Sequence, residues 1–125
     1  MYGFAANYKT NARYKATSAF GIGTITNNTV GQFVVGRANL NWVTGGDTDV
    51  RDALFVVGNG KDDEGTDITF NSEPVIDSIN VSNTYRSNAF MVMKDGRARV
   101  GKAPTGDMDV VNLSYLKNYL LDKEW

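Results

Sequence analysis

No cysteine and no histidine occur anywhere in these 125 residues. Their absence removes disulfides, thiol nucleophiles, zinc sites built from thiolate or imidazole, and histidine-based acid–base chemistry. It also leaves the redox compartment unreadable, because there are no thiols whose pairing would report it. A long apolar run is missing as well. Nothing approaches the ~20 residues that a membrane span needs, and Met1-Tyr2-Gly3-Phe4-Ala5 passes straight into the polar Asn7-Tyr8-Lys9-Thr10 without the pattern of a signal peptide. The chain therefore reads as soluble. Charge of one sign is lacking too: 13 basic residues against 14 acidic give a net charge of -1. That balance supplies no electrostatic footprint for nucleic acid or for an anionic membrane.

What the chain does have is glycine and asparagine, 13 of each. Both tolerate positive φ in tight turns, so many short strands joined by sharp corners is the natural reading of a chain long enough for one modest domain. The stretch Phe-Val-Val-Gly occurs twice, at Phe33–Gly36 and Phe55–Gly58. Upstream, short apolar pairs are separated by polar turns, and Phe4-Ala5, Phe20-Gly21 and Val35-Gly36 follow one another at intervals of roughly 15 residues. A repeat this short, with Thr and Asn between the apolar pairs, predicts a β-solenoid in which each repeat makes one turn. Two or three such turns bury too little to stand alone, so contacts from other copies of the chain are expected.

Gly45-Gly46-Asp47-Thr48-Asp49 reads as a turn or linker, and Ala53–Val57 as a strand ended by Gly58-Asn59-Gly60. An acid-rich loop, 61–66, follows. Residues 67–85 alternate only weakly through Ile68, Phe70, Val75, Ile79 and Val81, with Pro74 forcing an edge or a break. Asp95-Gly96 supplies the positive-φ pair of a two-residue hairpin turn between strand-like runs over 89–101. With Lys94 paired to Arg97, Met93 falls opposite Ala98 and Met91 opposite Val100, which leaves Phe90, Val92, Lys94, Arg97 and Arg99 on the other face. Asp107–Trp125 reads as a helix, with Asp107 and Asp109 favouring its N-terminal dipole and Val110, Leu113, Leu116, Leu120 and Leu121 on one side. A helix of that length is marginal alone, so it docks on its own β body or on sister helices. The fold class is mainly β with a C-terminal α-helix, divided as 1–45 coil repeats, 46–104 a β-rich block, and 105–125 the helix.

Motifs that carry chemistry are weak here. Gly58-Asn59-Gly60-Lys61 fails as a phosphate loop, because Phe55 stands where the first glycine belongs and Asp62 where Ser or Thr belongs. Gly21-Ile22-Gly23 lacks the third glycine of a dinucleotide fingerprint and any following helix pattern. Asp62, Asp63, Glu64 and Asp67 lack the Asp/Asn ladder and closing Glu of a calcium loop, and read as a solvated loop. No carboxylate pair stands out for glycoside cleavage, and the three Asn-x-Ser/Thr triplets are as frequent as chance predicts in an Asn-rich chain. No metal or cofactor is expected. Exposed aromatics are the better sign of a binding surface: Trp42, Tyr85 and the N-terminal Tyr2, Tyr8 and Tyr14 are the candidates, Trp42 equally as a core plug.

The stretch from Thr17 to Leu40 resembles the short head repeats of trimeric autotransporter adhesins, in which a small-apolar-Gly unit recurs roughly every 14 to 16 residues. Asp52–Gly60 followed by Arg86–Gly101 is similar to the block that follows such repeats in bacteriophage tail and head fibres. Asp107, Asp109, Val110 and Tyr115 hold the positions of the Asp-x-Asp-Val-x-x-x-x-Tyr connector that leads into a helix in many of these fibres. Residues 61–85 have no counterpart, and the self-cleaving chaperone that ends many such fibres is absent.

The resemblance implies an intertwined homotrimeric β-roll or β-prism on a phage or prophage virion, made in the bacterial cytoplasm and acting outside it, without a catalytic site. Its partners would be sister copies, other fibre or baseplate proteins, and host-surface glycan or protein. In that reading Gly21, Gly36, Gly58 and Gly60 turn the coil corners, Asp95 and Gly96 turn the hairpin, and Val110, Leu113, Leu116, Leu120 and Leu121 form the helical trimer interface. Three other readings stay open. The chain could be the receptor-binding tip, with Trp42, Lys61, Asp62, Asp63 and Tyr85 as its surface. It could be a polysaccharide-degrading enzyme with an intersubunit site, or a fragment of a bacterial surface adhesin.

Overall fold

The structure, a computed structural model, describes residues 3–122 apart from Tyr14, Asn28 and 41–52. It is mainly β. Six strands form one sheet in sequence order: β1 (Phe4–Tyr8), β2 (Ser18–Ile22), β3 (Phe33–Arg37), β4 (Ala53–Asn59), β5 (Asn88–Met93) and β6 (Ala98–Val100). A single helix, α1 (Leu113–Asp122), follows. β1 to β4 pair in parallel, and β5 and β6 continue the sheet antiparallel. The sheet therefore runs unbroken from the coil repeats into the β-rich block.

Parallel neighbours that are consecutive in sequence usually need a helical crossover. Here the chain returns through a short loop instead. Phe4 lies beside Ser18 and Ser18 beside Phe33, so each of these turns takes roughly 15 residues. The returning segments touch through a parallel bridge between Asn11 and Ile25. Phe4 and Phe20, which share a sequence context, are thus diagonal neighbours rather than partners: Phe20 stands beside Ala6.

Each turn bends at repeated left-handed positions. Asn7, Gly21 and Gly36 have φ of 88°, 117° and 102°, and two residues further on Lys9, Gly23 and Ala38 are left-handed again. Gly21, Gly36 and Gly58 lie within the last residues of β2, β3 and β4 rather than beyond them, and only Gly60 follows its strand. Their smallness is also required across the sheet, since a Cβ on Gly21 would sit 1.9 Å from the Gly36 carbonyl oxygen, and one on Gly36 2.4 Å from that of Gly58.

The space inside the coil is narrow and polar. Thr17, Thr24, Thr26, Asn27, Thr29, Gln32 and Asn39 are all buried, with Ala19, Ile25, Val34 and Ala38 as their apolar company in the same turns. Buried polar groups must be paired, and these pair largely with the backbone. The Asn39 amide accepts from the Ile25 N–H at 2.8 Å and donates to the Ile25 carbonyl at 2.9 Å, as a neighbouring strand would. The Gln32 amide accepts from the Asn27 N–H and donates to the Ala53 carbonyl, both at 2.8 Å. Thr26 Oγ1 accepts from the Arg13 N–H and donates to Thr17 Oγ1. Apolar packing proper begins at β3 to β5, where Val34, Ala53, Val56 and Met93 cluster with Met91 against them.

Two local expectations are corrected. The hairpin turn has three residues, not two: the Met93 N–H donates to the Arg97 carbonyl and the Gly96 N–H to the Met93 carbonyl, with Gly96 at φ 91°. This is a type I turn closed by a left-handed glycine. Asp95 still shapes it, accepting from the Arg97 N–H and guanidinium. The extra residue shifts the pairing by one, to Met91 with Arg99 and Val92 with Ala98, and so exchanges the faces of β6. Both faces of β5 are apolar, so alternation could not pin the register.

The helix begins at Leu113 rather than near Asp107, because the Asn112 side-chain carbonyl accepts from the Tyr115 N–H and caps it. Asp109 serves a preceding turn, accepting from the Thr105 and Gly106 N–H groups.

Replacing Asn39 with Leu keeps the volume but strands the Ile25 N–H and carbonyl in a dry interior. We expect a loss of about 2–5 kcal/mol of stability, measured as a lowered denaturant midpoint with an unchanged m-value.

Candidate functional site

Two surfaces gather the residues that sequence singled out. The first is the segment 61–85, which holds no strand or helix among the described residues and closes the open edge of the coil. Ile68 and Ile76 pack on Ala38, with Ile22 alongside. Arg86 locks the segment in place. Its guanidinium, 5 % exposed, donates to the carbonyls of Gly23 (2.7 Å), Asn39 (3.3 Å), Asp77 (3.2 Å) and Ser82 (3.2 Å), joining two coil turns to the loop. Arg37 adds a hydrogen bond to the Ile68 carbonyl and an ion pair with Asp67 at 3.6 Å.

The acidic residues here organise backbone. Asp62, read from sequence as receptor surface, is 5 % exposed. One carboxylate oxygen accepts from the Glu64 and Thr66 N–H groups and the other from that of Val75. The Thr66 N–H above all holds the carboxyl below its ordinary range, against the opposing effect of burial and with help from Glu64 and Val75. Asp63 accepts from the Asp77 N–H, and Asp77 from those of Ile79 and Asn80. Among the described residues, no group of three or more acidic side chains is gathered closely enough to hold a metal ion. Lys61 and Tyr85 are exposed neighbours joined by a backbone hydrogen bond, and the Tyr85 ring lies over Gly65. Trp42, with Tyr2 and Tyr14, lies outside the described residues.

The second surface is the outward face of the sheet. Alternation along each strand sends one set of side chains to the coil interior and the other outward. The inward set is small in β1 to β3: Ala5, Ala19, Gly21, Val34, Gly36. The outward set is large. Phe4, Phe20, Phe33, Phe55 and Phe90 form a continuous ladder across five strands, with successive ring centroids 5.4, 5.4, 5.8 and 6.4 Å apart. Ala6, Val35, Val57, Val92, Ala98 and Val100 fill the positions between. Every one of these outward side chains is half-buried or exposed, with Phe4 at 59 % and Phe33 at 38 %.

The ladder continues toward α1. A groove of about 450 Å³ runs between Phe90 and Val100 on the sheet and Val110 and Leu113 at the start of the helix. Of the residues assigned to a helical interface, Val110 precedes α1. Leu113, Leu116, Leu120 and Leu121 are on it, and all five are exposed. Tyr115 and Tyr119 stack on one another one turn apart. Sequence reasoning missed the phenylalanine ladder. The signal was present as period-two alternation of small and bulky residues within each short strand, with the small ones carrying the coil interior.

Comparison with models of protein families, with curated proteins and with solved structures finds no match to this chain. No helix among the described residues is long and apolar enough to cross a membrane.

Because the folded Asp62 carboxyl titrates below the unfolded value of ~3.9, its contribution is complete above about pH 4 and is lost as pH falls through the folded pKa. Limited proteolysis within 61–85 should therefore rise steeply below that range. Asp62→Asn should flatten the dependence while leaving β5 and β6 protected.

Proposed function

We propose that this chain is a structural segment of a trimeric phage or prophage fibre, an elongated assembly that spaces or displays a host-recognition tip and does no chemistry of its own. The observation that carries this reading is the outward phenylalanine ladder. The coil fills its interior with threonine and amide side chains and turns its largest apolar residues to the outside, where a lone chain leaves them wet. Half-exposed phenylalanines are worth roughly 25 cal/mol for each Å² removed from water, and sister copies remove it with one sequence and closed symmetry.

Parallel coils of roughly 15 residues suit an intertwined β-roll or β-prism, the architecture implied by the resemblance to adhesin head repeats and phage fibres. The mechanism is geometric: three chains bury what none buries alone, and threefold display raises weak attachment through effective concentration. The exposed α1 fits the same account. Ten residues are too few for a stable isolated helix, and Leu113, Leu116 and Leu120 follow the three–four spacing of a helical seam.

The test is the mass in solution by light scattering coupled to size exclusion. Three times the 13.7 kDa of one chain, persisting on dilution, is the expected result; a compact single chain would sink the fibre reading. Combining Leu116→Asp with Leu120→Asp should dissociate the trimer where α1 forms the seam. Unchanged mass would assign α1 to a strut instead.

A further inference from the structure

We infer that the phenylalanine ladder is covered by the same ladder of sister copies, lying parallel and in register about an axis that runs along the rungs. This inference rests on the trimeric reading and adds to it which face points to the axis and in what orientation.

Three observations lead there. The first is reach. Six strands spaced ~4.8 Å apart make a face about 25–30 Å long, whereas the ten residues of α1, at 1.5 Å each, span about 15 Å. The chain's own helix is too short to cover the ladder.

The second is area. Two to three side chains across, the face presents about 400 Å² in projection, near the limit for an exposed patch on a monomer. That is about half of the ~800 Å² per partner that a stable pairwise contact takes. The groove from Phe90 and Val100 to Val110 and Leu113 makes the ladder continuous with the exposed apolar side of α1. Sheet and helix together supply one interface of adequate size, in which each copy meets two neighbours.

The third is pitch. The rungs stand 5.4–6.4 Å apart in a line across the strands. A partner must match that spacing at every step, and a copy rotated about an axis along the ladder matches it by construction, each rung meeting its own equivalent. The two rows of outward side chains from Phe4 to Val100 hold no charged residue. Arg37, in the third row, is already engaged by Asp67 and the Ile68 carbonyl, so parallel stacking sets no like charges against each other in the middle of the contact.

The experiment compares wild type with Phe33→Lys combined with Phe55→Lys, by light scattering and far-ultraviolet circular dichroism. Both residues point away from the chain's own core, so the expected result is a threefold fall in mass to 13.7 kDa with the β signature kept. A second variant covers the case in which the charged protein fails to fold. Phe4→Cys places the chain's only thiol at the open end of the ladder, and a short bifunctional thiol reagent should then join copies at micromolar concentration, while Glu73→Cys in the loop should give no joined product. A trimer that keeps its mass with lysines at 33 and 55, or that joins at position 73 and not at 4, overturns the inference and leaves the trimeric reading standing. A wild type of single-chain mass overturns both. Joining of Phe4→Cys only to a Phe90→Cys partner would mean antiparallel copies and would also overturn it.

Discussion

Everything in this molecule follows from the thinness of its coil. A turn of about 15 residues leaves room between the strand and its return for a methyl, a hydroxyl or a planar amide, and little more. The backbone of the return segment has no full ladder of its own, so its polar groups must find partners in the interior. Asn39 and Gln32 meet that need by acting as pieces of strand: one amide accepts and donates where a neighbouring backbone would have done both. A coil organised this way is specific and well satisfied, but it buries little apolar surface. Its bulky residues have one place left to go, which is outward.

The segment 61–85 answers to the same shortage of space. With no strand or helix of its own among the described residues, it seals the coil through two isoleucines and one buried guanidinium that collects four carbonyl oxygens. Arginine suits this task because its planar fork offers five donors in fixed directions. The aspartates of the segment do the complementary work, gathering N–H groups. Together they give an irregular loop the hydrogen-bond closure that a regular element has by construction, and the stretch that sequence left unplaced becomes the cover of the coil.

The outward face then carries the apolar side chains that the interior has no room for. In the proposed trimer, burying phenylalanine between symmetric copies turns a marginal single chain into an assembly whose stability scales with the number of turns, which is the useful property for a fibre. A polar interior and an apolar exterior make each coil dependent on its neighbours, and dependence of that kind favours closed, elongated symmetric structures over independent globules.

Much of the fold was legible from residue order. The short recurrence of apolar pairs announced coils, glycine and asparagine announced left-handed bends, and Asp95-Gly96 announced a hairpin, because each of these is a local property of backbone sterics. The limits were equally physical. Turn length at Asp95-Gly96 set the β6 register, and with both faces of β5 apolar no alternation could reveal it. The helix start depended on whether Asp109 or Asn112 reached the free N–H groups, a competition that only the folded turn resolves. Asp62 looked like a solvated acid and became an internal one, since burial comes from residues far along the chain. Residue order alone was enough to say that this chain coils and where it bends. Which side of each strand faces inward was left to the fold, because that choice rests on how little space the returning chain leaves, a distance no single repeat contains.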